Sequence, residues 1–314
     1  MAFNILLSAN SVHPEITLKD TATGTEAVIY TYGGLLNAFS INHRGQAKNI
    51  VQGFSSTADA RTNGRNGFKS AKLSPFVCRM RRGQFSFEGK KYTIQKNYLQ
   101  EHAIHGIVFD AVYSIEKMEE NESHAFVQLC HEYPGTDSGF PFPYTIRIDW
   151  QLEAENKLTV STHIRHNNPH PIPIADGWHP YFMLGGKVDD WVLQFDSETQ
   201  LAFDADLLPT GKKISDNRFT NGGSLKGVQL DNSFELDFQK GPAKAVLSNR
   251  EFVLRILPAK AYPILQVYIP DHRNSIALEN LSGAPDNFNN GMGLIILPPG
   301  ELQTFTTVYQ LACL

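Results

Sequence analysis

The sequence contains few cysteines and no long apolar run. Its three cysteines, Cys78, Cys130 and Cys313, are far apart in 314 residues and lack the spacing of a zinc site, so neither a disulfide framework nor bound metal is predicted. No stretch approaches the roughly 20 apolar residues of a membrane span. The segment 1–15 also lacks a basic start followed by a long apolar centre, which a secretory signal would show. We therefore expect a soluble, cytoplasmic protein with no membrane partner.

The sequence also lacks a strong charge of either sign. It has 28 lysines and arginines against 32 aspartates and glutamates, a formal net charge of -4. This gives no electrostatic reason to expect nucleic acid as a partner. With 41% hydrophobic and 19% charged residues, the chain can bury a full core. A small, roughly neutral molecule is the expected partner.

Helical patterns are scarce, and apolar residues instead alternate with polar ones, as in half-buried strands. Only the segment from Ser56 to Asn63 is compatible with a short helix, and 17 prolines and 24 glycines favour strands and turns. The predicted strands are Ala27–Tyr32, Ala125–Tyr133, Tyr144–Leu152, Lys157–His166, Trp191–Phe195, Phe252–Leu257, Pro263–Ile269, Gly293–Leu297 and Phe305–Leu311. We predict an all-β protein, a large antiparallel β-sandwich formed by one domain over residues 1–314.

The segment Ser275–Gly291, SIALENLSGAPDNFNNG, is the most informative about function. A short apolar strand leads to the carboxylate of Glu279, followed by residues typical of turns. A charge at such a position costs free energy unless it is paired or used. Glu279 is therefore a candidate general base, and the alternative is a solvated strand end.

Two of the eleven histidines stand out by their sequence context. His105 in HAIHGI precedes a glycine at which the backbone can turn, and His179 in DGWHPYFML precedes a proline that restricts it to extended geometry. For each, the alternative is a buried imidazole hydrogen-bonded to the backbone. His163 and His166 are three residues apart on a predicted strand, so they point to opposite faces and cannot chelate one metal.

Several short motifs in order resemble the aldose 1-epimerases, the galactose mutarotase family. The resemblance runs from about Gly33 to the end of the sequence, and its order is more specific than any single motif. The motifs are HG at His105, HPYF at His179, DNSF at Asp231, LQVY at Leu265, LEN at Leu278, PDNFNNG at Pro285 and LPPGE at Leu297.

The resemblance implies a large antiparallel β-sandwich and a cofactor-free exchange of sugar anomers. Carried over residue by residue, it makes Glu279 the general base and His179 the general acid of ring opening. A sugar needs both donors and acceptors at its hydroxyls, and these would come from Arg79, His105, Asp231 and Gln266. Without the resemblance to this family, Asp231 could equally cap a turn and Gln266 could be a surface side chain. Trp178 or Phe288 could provide an apolar platform for the sugar or belong to the core.

The sequence departs from the family pattern near these residues, so galactose specificity is not implied. Cys78 stands before Arg79 where an asparagine is common, Ile107 follows Gly106 where a second glycine is usual, and Pro180 replaces a threonine. The basic cluster of Arg79, Arg81, Arg82, Lys90 and Lys91 is either a solvated hairpin or a phosphate-binding group. A phosphate-binding group would indicate a hexose 6-phosphate 1-epimerase.

Three other functions are alternatives to the proposed reaction. A noncatalytic sugar-binding protein of the same fold would not need Glu279 and His179 together. A glycoside hydrolase needs two carboxylates, for which Glu279 and Asp286 are the nearest pair. A metal-dependent isomerase needs a ligand cluster that the spacing of histidines and cysteines does not provide. We expect a monomer or a weak homodimer.

Overall fold

Alternation of apolar and polar residues produces the longest strands of the molecule. In a computed structural model, which describes residues 2–9, 13–239 and 241–314, Tyr144–Glu153 alternates strictly between buried and half-buried residues. Each predicted run coincides with a strand, with small differences at the ends. The predicted single domain includes residues 1, 10–12 and 240, which lie outside the described ranges.

The strands are numbered in chain order. The first fourteen are β1 Phe3–Leu7, β2 Glu15–Asp20, β3 Thr25–Tyr30, β4 Leu36–His43, β5 Gln46–Asn49, β6 Ala71–Leu73, β7 Arg79–Met80, β8 Gln84–Phe87, β9 Lys90–Thr93, β10 Tyr98–Leu99, β11 His102–Ile104, β12 Ser114–Glu120, β13 His124–Tyr133 and β14 Tyr144–Glu153. The remainder are β15 Lys157–Arg165, β16 Ile172–Ile174, β17 Gly177–His179, β18 Tyr181–Phe182, β19 Val192–Phe195, β20 Thr199–Phe203, β21 Pro209–Ser215, β22 Gly223–Ser224, β23 Asp231–Glu235, β24 Ala245–Ser248, β25 Phe252–Pro258, β26 Ile264–Tyr268, β27 Ile276–Leu281, β28 Ile295–Leu297 and β29 Leu302–Cys313.

Two large antiparallel sheets form the body of the protein. One has nine strands in the order β12-β13-β14-β15-β29-β25-β24-β19-β22, and the other has the order β21-β20-β23-β26-β27-β17-β6, with β18 paired to β27. A five-stranded sheet, β1 to β5, and three small sheets complete the fold. In the nine-stranded sheet, β29 lies in the middle and joins β15 to β25.

The two large sheets pack face to face through aromatic and polar contacts. Trp150 on β14 packs edge-on against Trp178 on β17, with ring centroids 5.4 Å apart. Asn280 on β27 donates a hydrogen bond to Thr307 Oγ1 on β29 at 3.0 Å. These contacts make the molecule a β-sandwich, as the sequence predicted.

Helices are few and short within the described residues. The predicted helix is confirmed as α1, Thr57–Asn63. Ser56 caps its N-terminus by accepting a hydrogen bond from the Asp59 N–H. A second helix, α2, covers Asn287–Asn290 and was not predicted. Single 3₁₀ turns form at Arg81–Gly83 and Val188–Asp190. No helix in the described ranges is long and apolar enough to cross a membrane.

A fully buried ion pair lies between the two large sheets. Lys72 on β6 contacts the Asp176 carboxylate at 2.5 Å, and both side chains are inaccessible to solvent. Lys72 Nζ also donates to Thr162 Oγ1 of the opposite sheet at 2.9 Å and to the Gly177 carbonyl at 3.2 Å, while the Tyr262 hydroxyl donates to Asp176. Burial lowers the pKa of Lys72 to about 8 and raises that of Asp176, although each charge opposes the shift of the other. The other hydrogen bonds of Lys72 and Asp176 therefore help to offset the free-energy cost of burying the two charges.

Replacing Lys72 should be strongly destabilising. Lys72→Met leaves the Asp176 carboxylate buried without its cation, which costs about 3–5 kcal/mol, measured by urea unfolding. Lys213→Met is the matched control, because Lys213 is 56% exposed and pairs with Glu235 at the surface, where a pair contributes roughly 0–1 kcal/mol. Adding Asp176→Leu to Lys72→Met should recover part of the loss. Equal effects of the Lys72 and Lys213 changes would contradict this account.

Candidate active site

Four neighbouring strands of the eight-stranded sheet place polar side chains in one row. Gln266 on β26 is directly opposite Glu279 on β27, and Ser233 on β23 is opposite Gln266. Gly177 pairs with Leu281, so two residues further along these antiparallel strands His179 comes opposite Glu279. Residues that face each other across adjacent strands share one side of the sheet. The row therefore runs Ser233, Gln266, Glu279, His179.

Three members of this row, Gln266, Glu279 and His179, line a cleft of about 240 Å³. The cleft is smaller than the roughly 300–1,000 Å³ of pockets for drug-sized ligands, so it suits a small molecule. All six residues selected from the sequence line it: Arg79, His105, His179, Asp231, Gln266 and Glu279. The structure thus brings together residues that are up to 200 positions apart in the chain.

Glu279 and His179 form a close pair shielded from water. His179 Nε2 lies 3.3 Å from Glu279 Oε1, and the side chains are only 6% and 2% exposed. Burial lowers the pKa of His179 to about 4. Burial, helped by the nearby Asp231 charge, raises the pKa of Glu279 well above its usual range, against the effect of Arg79. Both shifts favour the uncharged forms of the two groups, a neutral imidazole and a protonated carboxyl.

Asp231 and Gln266 are held by a short chain of hydrogen bonds. Gln266 Nε2 donates to Asp231 Oδ1 at 2.7 Å, and Ser233 Oγ donates to Gln266 Oε1 at 2.5 Å. These bonds fix the orientation of the Gln266 amide. Burial raises the pKa of Asp231, while Arg79 and Gln266 oppose the shift. Gln266 is therefore a buried, oriented side chain and not a surface residue, and Asp231 is the first residue of a strand.

His105 is presented to the cleft by an unusual backbone conformation. It follows β11 with a φ of 59°, and Gly106 follows with a φ of 72°. The ring packs 4.9 Å from that of His179 and 4.7 Å from that of Phe68. Burial lowers the pKa of His105 well below its usual range, so the imidazole is neutral near neutral pH. Left-handed residues other than glycine are often found at functional sites.

Three buried polar atoms that lack partners among the described residues belong to residues lining the cleft. Within the described ranges, His105 Nδ1, His179 Nδ1 and Glu279 Oε2 are buried and make no hydrogen bond. An unpaired buried polar atom costs roughly 1–3 kcal/mol. Such atoms in one cavity are suited to a ligand with several hydrogen-bonding groups.

The structure decides between alternatives that the sequence left open and adds residues that sequence reasoning missed. Glu279 is not a solvated strand end, because β27 continues to Leu281 and all six of its residues are buried. Trp178 and Phe288 belong to the core, where Phe288 packs against Phe85. The aromatic residues that line the cleft are Phe68, Tyr181, Phe203 and Tyr268. Tyr181 and Tyr268 stand in the motifs HPYF and LQVY, which offered a signal, whereas Phe68 had none.

Most of the predicted basic cluster faces away from the cleft. Gln84–Phe87 and Lys90–Thr93 form the predicted hairpin. Arg81 pairs with Asp204 at 2.6 Å, and Arg82 is 71% exposed near Glu101. Arg79 lines the cleft together with Arg65, which sequence reasoning missed.

Asp286, the other carboxylate of the hydrolase alternative, has a structural role. Its Oδ1 accepts hydrogen bonds from the Arg81 N–H at 2.9 Å and from Asn289 Nδ2 at 2.7 Å. It is also absent from the cleft lining. Glu279 therefore has no partner carboxylate in Asp286 for cleaving a glycosidic bond.

Two groups of three potential metal ligands occur in the described part of the chain. Cys78, His105 and Glu279 are all buried and line the cleft, whereas Glu101, His102 and Asp206 are mostly exposed. In each group the ligand atoms lie within 4.8 Å of one another. Sequence spacing indicated neither group, because their members come from distant segments.

Fold and cleft together define a galactose mutarotase-like β-sandwich with a buried Glu279–His179 pair. A galactose mutarotase-like protein from Clostridium acetobutylicum superposes with a TM-score of 0.87 at 16% identity, covering 100% of this chain and 99% of that one. A galactose 1-epimerase from Lactobacillus acidophilus gives a TM-score of 0.83 at 20% identity, covering 99% and 98% of the two chains. At such identities these likenesses establish the fold alone.

Sequence comparison gives the family. An aldose 1-epimerase from Streptococcus thermophilus is 27% identical over 234 residues, which cover 67% of this chain and 62% of that protein. The family model described as aldose 1-epimerase matches residues 14–310. The chain belongs to the aldose 1-epimerase family.

Burial of Glu279 predicts a pH-dependent cost in stability. Because the native state raises the pKa of this carboxyl group, it binds the proton more tightly than the unfolded chain. The free energy of unfolding therefore falls as pH rises above the unfolded pKa of about 4.3. Glu279→Gln removes this cost, so its stability relative to wild type should increase between pH 4.5 and 7.5, measured by urea unfolding in buffer with EDTA.

The matched control for this measurement is Glu101→Gln. The Glu101 side chain is 58% exposed, so its replacement should change stability little at any pH. A difference between the Glu279 variant and wild type that stays constant with pH would refute the prediction.

Proposed function

We propose that the protein is a mutarotase that interconverts the α and β anomers of an aldohexose or a closely related sugar. The observation that carries the proposal is the buried pair of Glu279 and His179, 3.3 Å apart in a cleft of small-molecule size. Membership of the aldose 1-epimerase family supports the reaction class. That the substrate is an aldohexose or a closely related sugar is likewise proposed.

The reaction needs one proton acceptor and one proton donor at the same end of the sugar. Ring opening removes the proton of the C1 hydroxyl and protonates the ring oxygen, which gives the open-chain aldehyde. Rotation about the C1–C2 bond and closure on the other face give the second anomer. We propose Glu279 as the base toward the C1 hydroxyl and His179 as the acid toward the ring oxygen. Each transfer contributes roughly 10²- to 10⁴-fold in rate, about 3–5 kcal/mol.

One proton shared between Glu279 and His179 can serve both ring opening and ring closure. Ring opening requires the proton on His179 and a charged Glu279, whereas the cleft without sugar favours both groups uncharged. Hydroxyl groups of a bound sugar would donate to the Glu279 carboxylate, and Arg79 lines the same cleft. Both effects lower the cost of the charged form. After ring closure the proton has returned, so no cofactor is consumed.

The other predicted residues would recognise the sugar hydroxyls. Arg79 supplies donors, Asp231 supplies acceptors and Gln266 supplies both, while His105 lies next to His179. Gln266 is already oriented by Ser233 and Asp231, so little entropy is lost on binding. Tyr181, whose ring lies 4.9 Å from that of His179, offers an apolar surface to the C–H face of the sugar.

A phosphorylated hexose is the second candidate substrate. The observation that favours it is Arg65, which lines the cleft in addition to Arg79 and donates from Nη2 to Asn97 Oδ1 at 3.0 Å. Arginine binds phosphate oxygens with two parallel hydrogen bonds. The acid–base chemistry would be unchanged.

Loss of either member of the pair should remove catalysis. Glu279→Gln and His179→Gln should each lower the rate of anomer exchange roughly 10²- to 10⁴-fold. The rate is followed by polarimetry or NMR on freshly dissolved α-glucose, α-galactose and glucose 6-phosphate. Glu101→Gln, which changes an exposed carboxylate, is the control and should retain activity. Wild-type activity in the Glu279 variant would overturn its assignment as the base.

Binding measurements separate a catalyst from a noncatalytic sugar-binding protein. A wild-type protein that binds a sugar by calorimetry without accelerating its anomer exchange would support the noncatalytic alternative. The mutarotase proposal requires acceleration of at least one of the three sugars above the rate in buffer.

Arg65 provides a test of the phosphate candidate. If the substrate carries a phosphate, Arg65→Gln should raise KM for glucose 6-phosphate by about 10-fold or more, because a charge-assisted hydrogen bond contributes about 1.5–3 kcal/mol. KM for glucose should change much less. Equal changes for both sugars would count against phosphate recognition by Arg65.

A further inference from the structure

A cysteine thiol lies inside the cleft beside the proposed base. Cys78 is only 6% exposed and lines the cleft with Glu279 and His105. The proposed proton transfers do not use it. Its sulfur, a ring nitrogen of His105 and a carboxylate oxygen of Glu279 all lie within 4.8 Å of one another.

Backbone pairing holds two members of this group in register. Ile104 on β11 pairs with Arg79 on β7, so the next residues outward, His105 and Cys78, face each other. The His105 N–H donates to the Cys78 carbonyl at 2.9 Å. Both residues have a left-handed backbone, with φ of 59° and 47°. This strand pairing therefore holds the thiol and the imidazole next to each other.

Two of the three side chains have unused bonding capacity directed at the cleft. Glu279 and His105 are 2% and 7% exposed, and Glu279 Oε2 and His105 Nδ1 have no hydrogen-bond partner among the described residues. Asp231 adds a second carboxylate to the surroundings, and Arg79 adds an opposing positive charge.

Sulfur, imidazole nitrogen and carboxylate oxygen are the three ligand types that zinc accepts. Bond lengths of about 2.3 Å to sulfur and 2.0–2.2 Å to nitrogen and oxygen place the ligands of a tetrahedral site roughly 3.3–3.8 Å apart. The observed spacing reaches this range when side chains shift by about 1 Å. Three protein ligands leave the fourth position open to the cleft. Thiolate coordination selects against the hard cations Mg²⁺ and Ca²⁺.

We propose that Cys78, His105 and Glu279 bind a soft divalent cation of the Zn²⁺ class, and that this cation excludes the sugar and inhibits the enzyme. On binding, the Cys78 S–H bond breaks and a sulfur–metal bond forms. The Glu279 carboxyl group likewise loses its proton as its oxygen binds the metal, and both protons leave to solvent. The same cation occupies the carboxylate of the proposed base. The inhibition, but not the metal binding, rests on the proposed function.

Cobalt(II) is the first probe, because it reports a thiolate ligand independently of enzyme activity. Titration of metal-free wild-type protein with Co²⁺ should give a thiolate-to-metal charge-transfer band, and Zn²⁺ should displace it. Cys78→Ser should abolish the band. Cys313→Ser is the matched control and should retain it, because Cys313 also lies beside an imidazole, 3.2 Å from His43 Nδ1. Cobalt bound at Glu101, His102 and Asp206 would give no such band.

The second measurement is inhibition of anomer exchange. Zn²⁺ should inhibit the wild type, EDTA should reverse this, and Mg²⁺ should have no effect. EDTA alone should leave the rate unchanged. Inhibition of Cys78→Ser is measured relative to the rate of that variant without metal. Its inhibition constant for Zn²⁺ should be at least about 10-fold higher than that of the wild type, since loss of even an outer-shell partner weakens metal binding roughly 10- to 100-fold. Added sugar should weaken zinc binding in the wild type.

Distinct outcomes separate the two proposals. A charge-transfer band in a protein without epimerase activity would keep the metal site and reject the proposed function. Epimerase activity without a band, or a band that survives in Cys78→Ser and is lost in Cys313→Ser, would overturn the metal site. If Cys78→Ser does not fold, judged by circular dichroism, His105→Gln replaces it, and an unchanged zinc affinity in that variant would equally refute the site.

Discussion

The buried ion pair of Lys72 and Asp176 is the interaction on which the position of the cleft depends. Lys72 donates to the carbonyl of Gly177, the first residue of β17, and to Thr162 on the facing sheet. Its ammonium group also lies 4.3 Å from the ring of Trp178. The next residue is His179. One cation thus connects both layers of the sandwich to the strand that carries the proposed acid, and its own burial is tolerated only because every neighbour contributes.

The cleft also buries polar side chains, but fewer hydrogen bonds offset the cost of their burial. Glu279 and His179 are as deeply placed as core residues, but Glu279 Oε2 and His179 Nδ1 have no partner within the described ranges. A stable protein would normally place apolar groups there. The free energy of the folded chain therefore includes the cost of leaving these polar atoms unpaired. The same unpaired atoms support both proposals, a sugar and a thiophilic metal, and Cys78 supplies the sulfur for the second.

The fold could be predicted from sequence because its longest strands carry a local signal. Strict alternation in β14 and β15 requires only neighbouring residues. The two-residue and three-residue strands such as β7, β11 and β17 lack such a pattern, since they form by pairing with partners far along the chain. The sequence therefore predicted the sandwich but not the pairing of Ile104 with Arg79, which brings Cys78 to His105.

The candidate site was predictable in part for the same reason. The six proposed residues were found through the order of family motifs, and they do converge on one cleft. Arg65 and Phe68 precede the first strand of their sheet in a segment without a motif, so no local signal marked them. The sequence left Trp178 open as either an apolar platform for the sugar or a core residue. Adjacent strand residues point to opposite faces, and this geometry directs Trp178 into the core.

The central position of β29 has a consequence for how the molecule assembles. Four strands of the nine-stranded sheet lie on either side of β29, and all eight precede it along the chain. During synthesis, β15 and β25 must therefore wait with unpaired edges until β29 emerges and inserts between them. Pairing over such sequence distances is slow, and exposed edges invite association with other chains. Nascent copies of this protein should consequently depend on protection from chaperones for longer than their final stability would suggest.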